Sequence, residues 1–236
     1  MSATDPAGKL SENVDKATDN AIATGISDAD IVFTETDADL ARAGYTYTVM
    51  VGNQTYDTLA KAVQAASTYD TTNNLGDADA TPQLFTVVYA PVAQTVNVTY
   101  NTDNLTAEQK TTVNAKDSTL DGVTDANYRD ATKGATVPAV PGYTFTITDA
   151  KDTVVVNNAS ESFDLTSAAG TFAVGEDGKL KNDHFTVVYT PVAQSVAVDY
   201  DTSNLTAAQQ ATVDAKDGKL DGVTDAKYST ATGDKI

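Results

Sequence analysis

The chain contains no cysteine, so no disulfide can staple it, no thiolate can hold a metal and no cysteine nucleophile is available. It has no tryptophan and a single histidine, His184, which thins the supply of general bases and of broad aromatic platforms for a sugar. Basic residues are also few: 15 Lys and Arg face 33 Asp and Glu, for a formal net charge of -18. Such a surface repels the phosphates of DNA and RNA and the headgroups of anionic membranes, so nucleic acid is not expected among its partners. There is no run of about 20 apolar residues to span a bilayer, so no membrane insertion is expected. The opening Met1-Ser-Ala-Thr-Asp-Pro6 has neither the basic nor the apolar region of a signal peptide.

What the sequence does contain is a repeat. Phe85-Thr-Val-Val-Tyr89 is followed by Ala90-Pro-Val-Ala-Gln94 and by Val96, Val98 and Tyr100 at every second place. The same words return at Phe185-Thr-Val-Val-Tyr189, Thr190-Pro-Val-Ala-Gln194 and Val196, Val198, Tyr200, a period of 100 residues. Two β-branched and aromatic runs with a proline between them predict a strand, a break, and the first strand of the next copy, which makes Pro91 and Pro191 joints. The chain divides accordingly into a divergent repeat one at 1–90, repeat two at 91–190 and a truncated repeat three at 191–236. About two positions in three are identical between the second and third copies. The third stops before its later strands, so the chain reads as a piece of a longer protein, and this copy is expected to lean on repeat two.

Periodicity places the elements. In repeat one, residues 10–17 predict a short helix capped by Ser11, and Gly44-Tyr-Thr-Tyr-Thr-Val-Met-Val51 alternates as a half-buried strand does. Gly52-Asn53 turns it into a return strand at Gln54-Thr-Tyr56. Asp57 then caps a helix over 58–67 with Leu59, Ala62, Val63 and Ala66 at helical spacing. In repeat two, Thr106-Ala-Glu-Gln109 has the form of a capping box opening a helix to about Lys116. A turn at Gly122-Val-Thr-Asp-Ala-Asn127, a strand from Gly142, another at Thr153-Val-Val-Val156 and a crossover at 161–169 follow, before Gly178 turns the chain to the Phe185 strand. Repeat three renews the helix at Thr206-Ala-Ala-Gln209 and the turn at 221–226. These parts predict tandem small α+β modules with a mixed sheet and short helices, in a β-grasp-like arrangement.

Several residues invite a chemical reading. His184 precedes the Phe185 strand, but repeat one has Leu84 at that place, so it is read as structural or superficial. The acidic turns at Asn101-Thr-Asp103, Asp121-Gly-Val-Thr-Asp125 and 177–183 offer oxygen atoms to Ca²⁺, yet none has the spacing of an EF-hand loop, and turns favour Asp, Asn and Gly for backbone reasons. Tyr45, Tyr47, Tyr89, Tyr143 and Tyr189 could stack on sugars, although alternating tyrosines in strands more commonly pack across a sheet. Asn53, Asn97, Asn104 and Asn204 sit in glycosylation sequons, which chance alone supplies in a chain so rich in Asn and Thr. No catalytic constellation, cofactor motif or metal-ligand set stands out, and no enzyme is expected.

The Val-x-Val-x-Tyr strand, the Pro141-Gly-Tyr-Thr-Phe-Thr146 strand and the Phe-Thr-Val-Val-Tyr-x-Pro-Val joint resemble the mucus-binding (MucBP and Mub) repeats of lactobacilli and related Gram-positive bacteria. The resemblance covers most of residues 91–190 and, more loosely, repeat one. It departs where that family has an Asp-Gly-Lys turn and this chain has Asn101-Thr-Asp-Asn-Leu-Thr106 and a helix. The resemblance implies β-grasp-like modules in an extracellular, cell-wall-attached adhesin, secreted and strung as a monomeric multi-repeat array. The implied partners are host mucin, other glycoproteins or their glycans and, for some members, immunoglobulin. Such a source would leave the sequons unmodified, and some Gram-positive surface domains carry Lys to Asn isopeptide bonds. The rival expectation is a stalk whose repeats hold a distal binding domain away from the wall. No binding residue is carried over from the family.

Overall fold

The computed structural model describes residues 2–4, 35–66, 85–116, 118–214, 216 and 218–233. The expected helix at 10–17 lies outside these. The chain forms two compact units. The first holds residues 1–95, 121–132 and 170–181, and the second holds 96–120, 133–169 and 182–236.

In the first unit the described elements are β1 (Ser2–Thr4), α1 (Asp37–Leu40), β2 (Tyr45–Val51), β3 (Gln54–Tyr56), α2 (Leu59–Ala66) and β4 (Phe85–Pro91). The strands lie in the order β1-β4-β2-β3, with β1 parallel to β4 and the other neighbours antiparallel. The Gly52-Asn53 hairpin and helix α2 form where alternation and helical spacing predict them. The cap of α2 is one residue later than expected: the Thr58 hydroxyl accepts from the Lys61 amide at 3.2 Å, while Asp57 pairs with the Lys61 ammonium at 2.7 Å. Helix α1 is a single turn held by the Asp39 carboxylate, which accepts from both the amide and the hydroxyl of Thr36. Leu40, Val49, Leu59, Ala62, Phe85, Val87 and Tyr89 form the core beneath the sheet.

Next come β5 (Ala93–Asn101), α3 (Ala107–Asn114), β6 (Thr119–Val123), β7 (Thr136–Val137), β8 (Tyr143–Asp149), β9 (Val154–Ala159), β10 (Phe163–Asp164) and β11 (His184–Pro191). The main sheet has the order β6-β5-β11-β8-β9. Strands β5 and β11 are parallel, running from Asn97 opposite His184 to Asn101 opposite Val188. Strand β11 is antiparallel to β8, and β8 to β9. A mixed sheet with short helices is the expected α+β arrangement, and in it the first and last long strands of the repeat lie side by side. The capping box at Thr106 and Gln109 is present, with the Gln109 side chain accepting from the Thr106 amide at 2.8 Å. In the second unit Val96, Val98, Leu105, Val113, Leu120, Phe145, Ile147, Leu165, Phe185, Val187 and Tyr189 are buried.

Repeat three supplies β12 (Ala193–Ala197), α4 (Ala207–Asp214), β13 (Lys219–Val223) and β14 (Thr232–Gly233) in a sheet of order β12-β13-β14. Strands β6 and β13 are additions to the expected plan, which read only turns there. Thr119-Leu-Asp-Gly-Val buries just Leu120 and Gly122, and so lacks the β-branched alternation that marks a strand.

The two large sheets share a register. Phe85, Val87, Tyr89 and Pro91 lie opposite Val51, Val49, Tyr47 and Tyr45; Phe185, Val187, Tyr189 and Pro191 lie opposite Asp149, Ile147, Phe145 and Tyr143. Tyr143 follows Tyr45 by 98 residues, so positions around β8 match those around β2 at that offset. By this matching Leu40 corresponds to Pro138. The Tyr89 hydroxyl donates to the Leu40 carbonyl at 2.8 Å and the Tyr189 hydroxyl to the Pro138 carbonyl at 2.8 Å, one buried tether built twice. Burial pushes both phenols above the ordinary tyrosine range.

Candidate functional site

The most elaborate polar constellation is the link from one repeat to the next, and each compact unit contains one whole copy of it. Between β4 and β5 the chain leaves pairing for one residue, Val92, directly after Pro91. Proline has no amide and a fixed φ, so the strand stops there. Both backbone groups of Val92 are nonetheless bonded: its amide donates to the Gly44 carbonyl at 2.8 Å, and its carbonyl accepts from the Thr124 amide at 2.9 Å and the Thr124 hydroxyl at 3.2 Å. The linker residue is therefore held by the preceding repeat through one group and by the following repeat through the other.

The remaining contacts close around this link. The Gln94 side chain donates to the Thr124 hydroxyl at 3.0 Å, and the Tyr45 hydroxyl donates to the Asp125 carboxylate at 3.2 Å. Thr124 is 1% exposed, the one fully buried polar residue among those described, and its hydroxyl is satisfied as both donor and acceptor. Gly44 has φ of 78°, and a Cβ there would stand 2.6 Å from the Thr124 methyl and 2.7 Å from a Val174 methyl. Backbone sign and space both require glycine at that place.

In the second unit every one of these bonds recurs. The Val192 amide donates to Gly142 at 2.9 Å, and the Val192 carbonyl accepts from the Thr224 amide at 2.9 Å and hydroxyl at 3.3 Å. Gln194 donates to the Thr224 hydroxyl at 3.2 Å, and Tyr143 to the Asp225 carboxylate at 3.1 Å. Gly142 has φ of 79°, with a Cβ site 2.5 Å from the Thr224 methyl. Here the Asp225 carboxylate also accepts from Gln109 at 3.0 Å, and the Tyr143 hydroxyl lies 2.9 Å from the Asn104 carbonyl. Burial, reinforced by the Asp225 carboxylate, raises the Tyr143 phenol above its ordinary range. Asp125 and Asp225 themselves take φ of 64° and 62°, a conformation Asp tolerates better than most side chains. Repeat three, whose turn supplies Thr224 and Asp225, leans on repeat two in this way.

The residues singled out in the sequence fall elsewhere or serve this framework. Tyr89, Tyr143 and Tyr189 are buried and Tyr45 and Tyr47 are half-buried, with all five hydroxyls bonded to carboxylates or backbone carbonyls. Their rings belong to the core and the joints. His184 opens β11 with Nδ1 2.7 Å from the Asp183 carboxylate, whose pKa that hydrogen bond lowers. Among the described residues no three of His, Asp and Glu gather as a metal set. The sequon residues Asn53, Asn97, Asn104 and Asn204 are exposed, but the Asn104 amide is engaged, donating to the Tyr189 carbonyl at 2.9 Å. Sequence reasoning saw the joint residues as repeated words without pairing them. The signal was present, since Gly-Tyr, Pro-Val-Ala-Gln and Val-Thr-Asp-Ala each recur in order at nearly constant offset.

Comparison with known proteins returned no match to a family model, a curated protein or a solved structure.

Proposed function

We propose that this chain is a run of non-catalytic spacer repeats from a cell-wall-attached bacterial surface protein, serving to hold a binding domain at a distance. The observation that carries this reading is the joint: a one-residue linker with both backbone groups bonded, rebuilt bond for bond at Val92 and Val192. A link that only tethered two binding modules would work as a flexible polar stretch. Here a buried threonine, a left-handed glycine and a Tyr–Asp hydrogen bond are repeated to fix the link instead. The acidic surface keeps such repeats soluble. The surface-protein setting itself rests on the resemblance to mucus-binding repeats.

The test is binding of the folded chain to immobilised mucin, set against heat-unfolded chain and deglycosylated mucin. No saturable binding above the unfolded control, for this chain or for longer arrays, is the result expected of a spacer. Saturable binding that needs both the fold and the glycan overturns this reading and makes the repeats an adhesin, in which tethered weak sites act together.

A further inference from the structure

We infer that the parallel seam between β5 and β11 is a mechanical clamp, which makes each complete repeat a load-bearing element. This deepens the spacer reading and rests on it, since a spacer under a bound ligand is pulled from its two ends. The inference comes from where the chain enters and leaves. Repeat two begins at the Val92 link and runs straight into β5; it ends in β11, which runs straight to the Val192 link. These two strands are neighbours and parallel. Tension between the links therefore draws β5 towards its N-terminal end and β11 towards its C-terminal end, sliding the strands past one another. Parallel ladder bonds are evenly spaced, so in this direction they share the load together. Had the terminal strands been antiparallel neighbours, the same tension would open the ladder from one end, one bond at a time.

The seam is longer than its ladder. Register pairs run from His184 opposite Asn97 to Val188 opposite Asn101. At the lower end the Asn97 amide donates to the Asp183 carbonyl at 2.9 Å. Beyond the upper end the Asn104 side-chain amide donates to the Tyr189 carbonyl at 2.9 Å, where the turn has carried the main chain out of pairing. Val98, Phe185 and Val187, on the same two strands, are buried and must be exposed to water before the strands separate. Repeat one has the same design in short form, with β1 parallel to β4 from Ser2 opposite Thr86 to Thr4 opposite Val88.

Single-molecule force spectroscopy on the full chain tests this, and the lack of native cysteine makes attachment simple. Val92→Cys with Val192→Cys loads the seam in shear; both side chains are exposed, and the backbone makes the bonds of the link. Asp103→Cys with Val192→Cys attaches at the same end of the two strands and peels them. Both pairs load the Val192 link equally, and forced unfolding follows the unfolding rate along each direction. The shear pair also loads the Val92 link, so adding Asn104→Ala within the shear geometry isolates the seam. The expected result is a rupture force several-fold higher in shear than in peeling, lowered in shear when Asn104→Ala is added. Equal forces in the two geometries would overturn the clamp. That result leaves the mucin experiment untouched, so failure of the clamp and failure of the spacer reading are distinguishable.

Discussion

The amide of Val92 donates to the carbonyl of Gly44 across 2.8 Å, and this one residue separates β4 from β5, strands of different repeats. A connector of one residue has a single pair of soft dihedrals, and the φ of the proline before it is fixed by its own ring. Once its amide and carbonyl are both committed, motion at the link requires three hydrogen bonds to open together. The repeat of this arrangement at Val192 ties the small sequence period to a physical purpose. Identical words at Gly-Tyr, Pro-Val-Ala-Gln and Val-Thr-Asp-Ala persist because each word holds one part of the same bond set.

Amide hydrogen exchange reads this directly. Val92 and Val192 are solvent-exposed as side chains yet bonded as amides, and their exchange is expected to be slowed well below the free-peptide rate, as at core strand positions. Exchange of both at the free-peptide rate would mean the links are open in solution.

Gly142→Ala should destabilise the chain. The left-handed backbone costs a non-glycine residue about 1–2 kcal/mol. Forcing a methyl group to within 2.5 Å of the Thr224 methyl adds overpacking of about 1–3 kcal/mol unless the turn moves. Denaturant unfolding is expected to show a loss of about 2 kcal/mol or more, with faster exchange at Val192. Thr224→Ser removes the clashing methyl and should recover part of the loss. It leaves the backbone strain and the hydroxyl 2.7 Å from the added methyl, so full recovery would show that the clash with the Thr224 methyl alone accounts for the loss.

Much of the fold is legible in the sequence because alternation and capping are local. Tyr45 to Val51, Phe85 to Tyr89 and Phe185 to Tyr189 alternate where strands lie, and Thr106 with Gln109 opens its helix. Strand β6 is not legible, since its inward positions are one leucine and one glycine and its pairing comes from tertiary context. The candidate site is legible only as words. Tyr45 and Asp125 are 80 residues apart, and nothing in either says that the hydroxyl of one meets the carboxylate of the other. The same limit holds for the tyrosines: alternation places them in strands without saying where their hydroxyls go, which is onto partners within the protein.

Those hydroxyls give the chain an alkaline limit. Burial raises the Tyr89 and Tyr189 phenols, and burial with the Asp225 carboxylate raises that of Tyr143. A folded-state pKa above the unfolded value of about 10 means the folded state holds its proton more tightly. The stabilisation is fully present below that unfolded pKa and is lost as pH rises from there through the folded values. Ultraviolet titration of the 11 tyrosines should show a later class, to which Tyr89, Tyr143 and Tyr189 belong, that ionises as the protein unfolds. Tyr143→Phe should remove part of the later class and cost about 1 kcal/mol at neutral pH for the lost hydroxyl bonds. Ionisation of every tyrosine in one early step, with the fold intact, contradicts this assignment.

The sharpest difference between the repeats lies at Asp37. Its carboxylate accepts from the Tyr47 hydroxyl and from the Leu59 amide, each at 2.6 Å. At the matching places repeat two has Ala135 and Phe145, and there it is the Ala135 backbone carbonyl that accepts, from the Leu165 amide at 2.9 Å. Repeat one thus uses a side chain where repeat two uses backbone, and the tyrosine hydroxyl exists only where the carboxylate does. Asp37→Ala alone strands a hydroxyl and a helix-end amide, and is expected to cost about 2–3 kcal/mol. Tyr47→Phe alone should cost about 1 kcal/mol, because Asp37 keeps the Leu59 amide. In the double variant the hydroxyl that Asp37→Ala would leave unsatisfied is gone, so denaturant unfolding should show a loss smaller than the sum of the two single losses. Additive losses would mean that the Tyr47 hydroxyl and the Asp37 carboxylate act independently, and that their joint replacement in repeat two is coincidence.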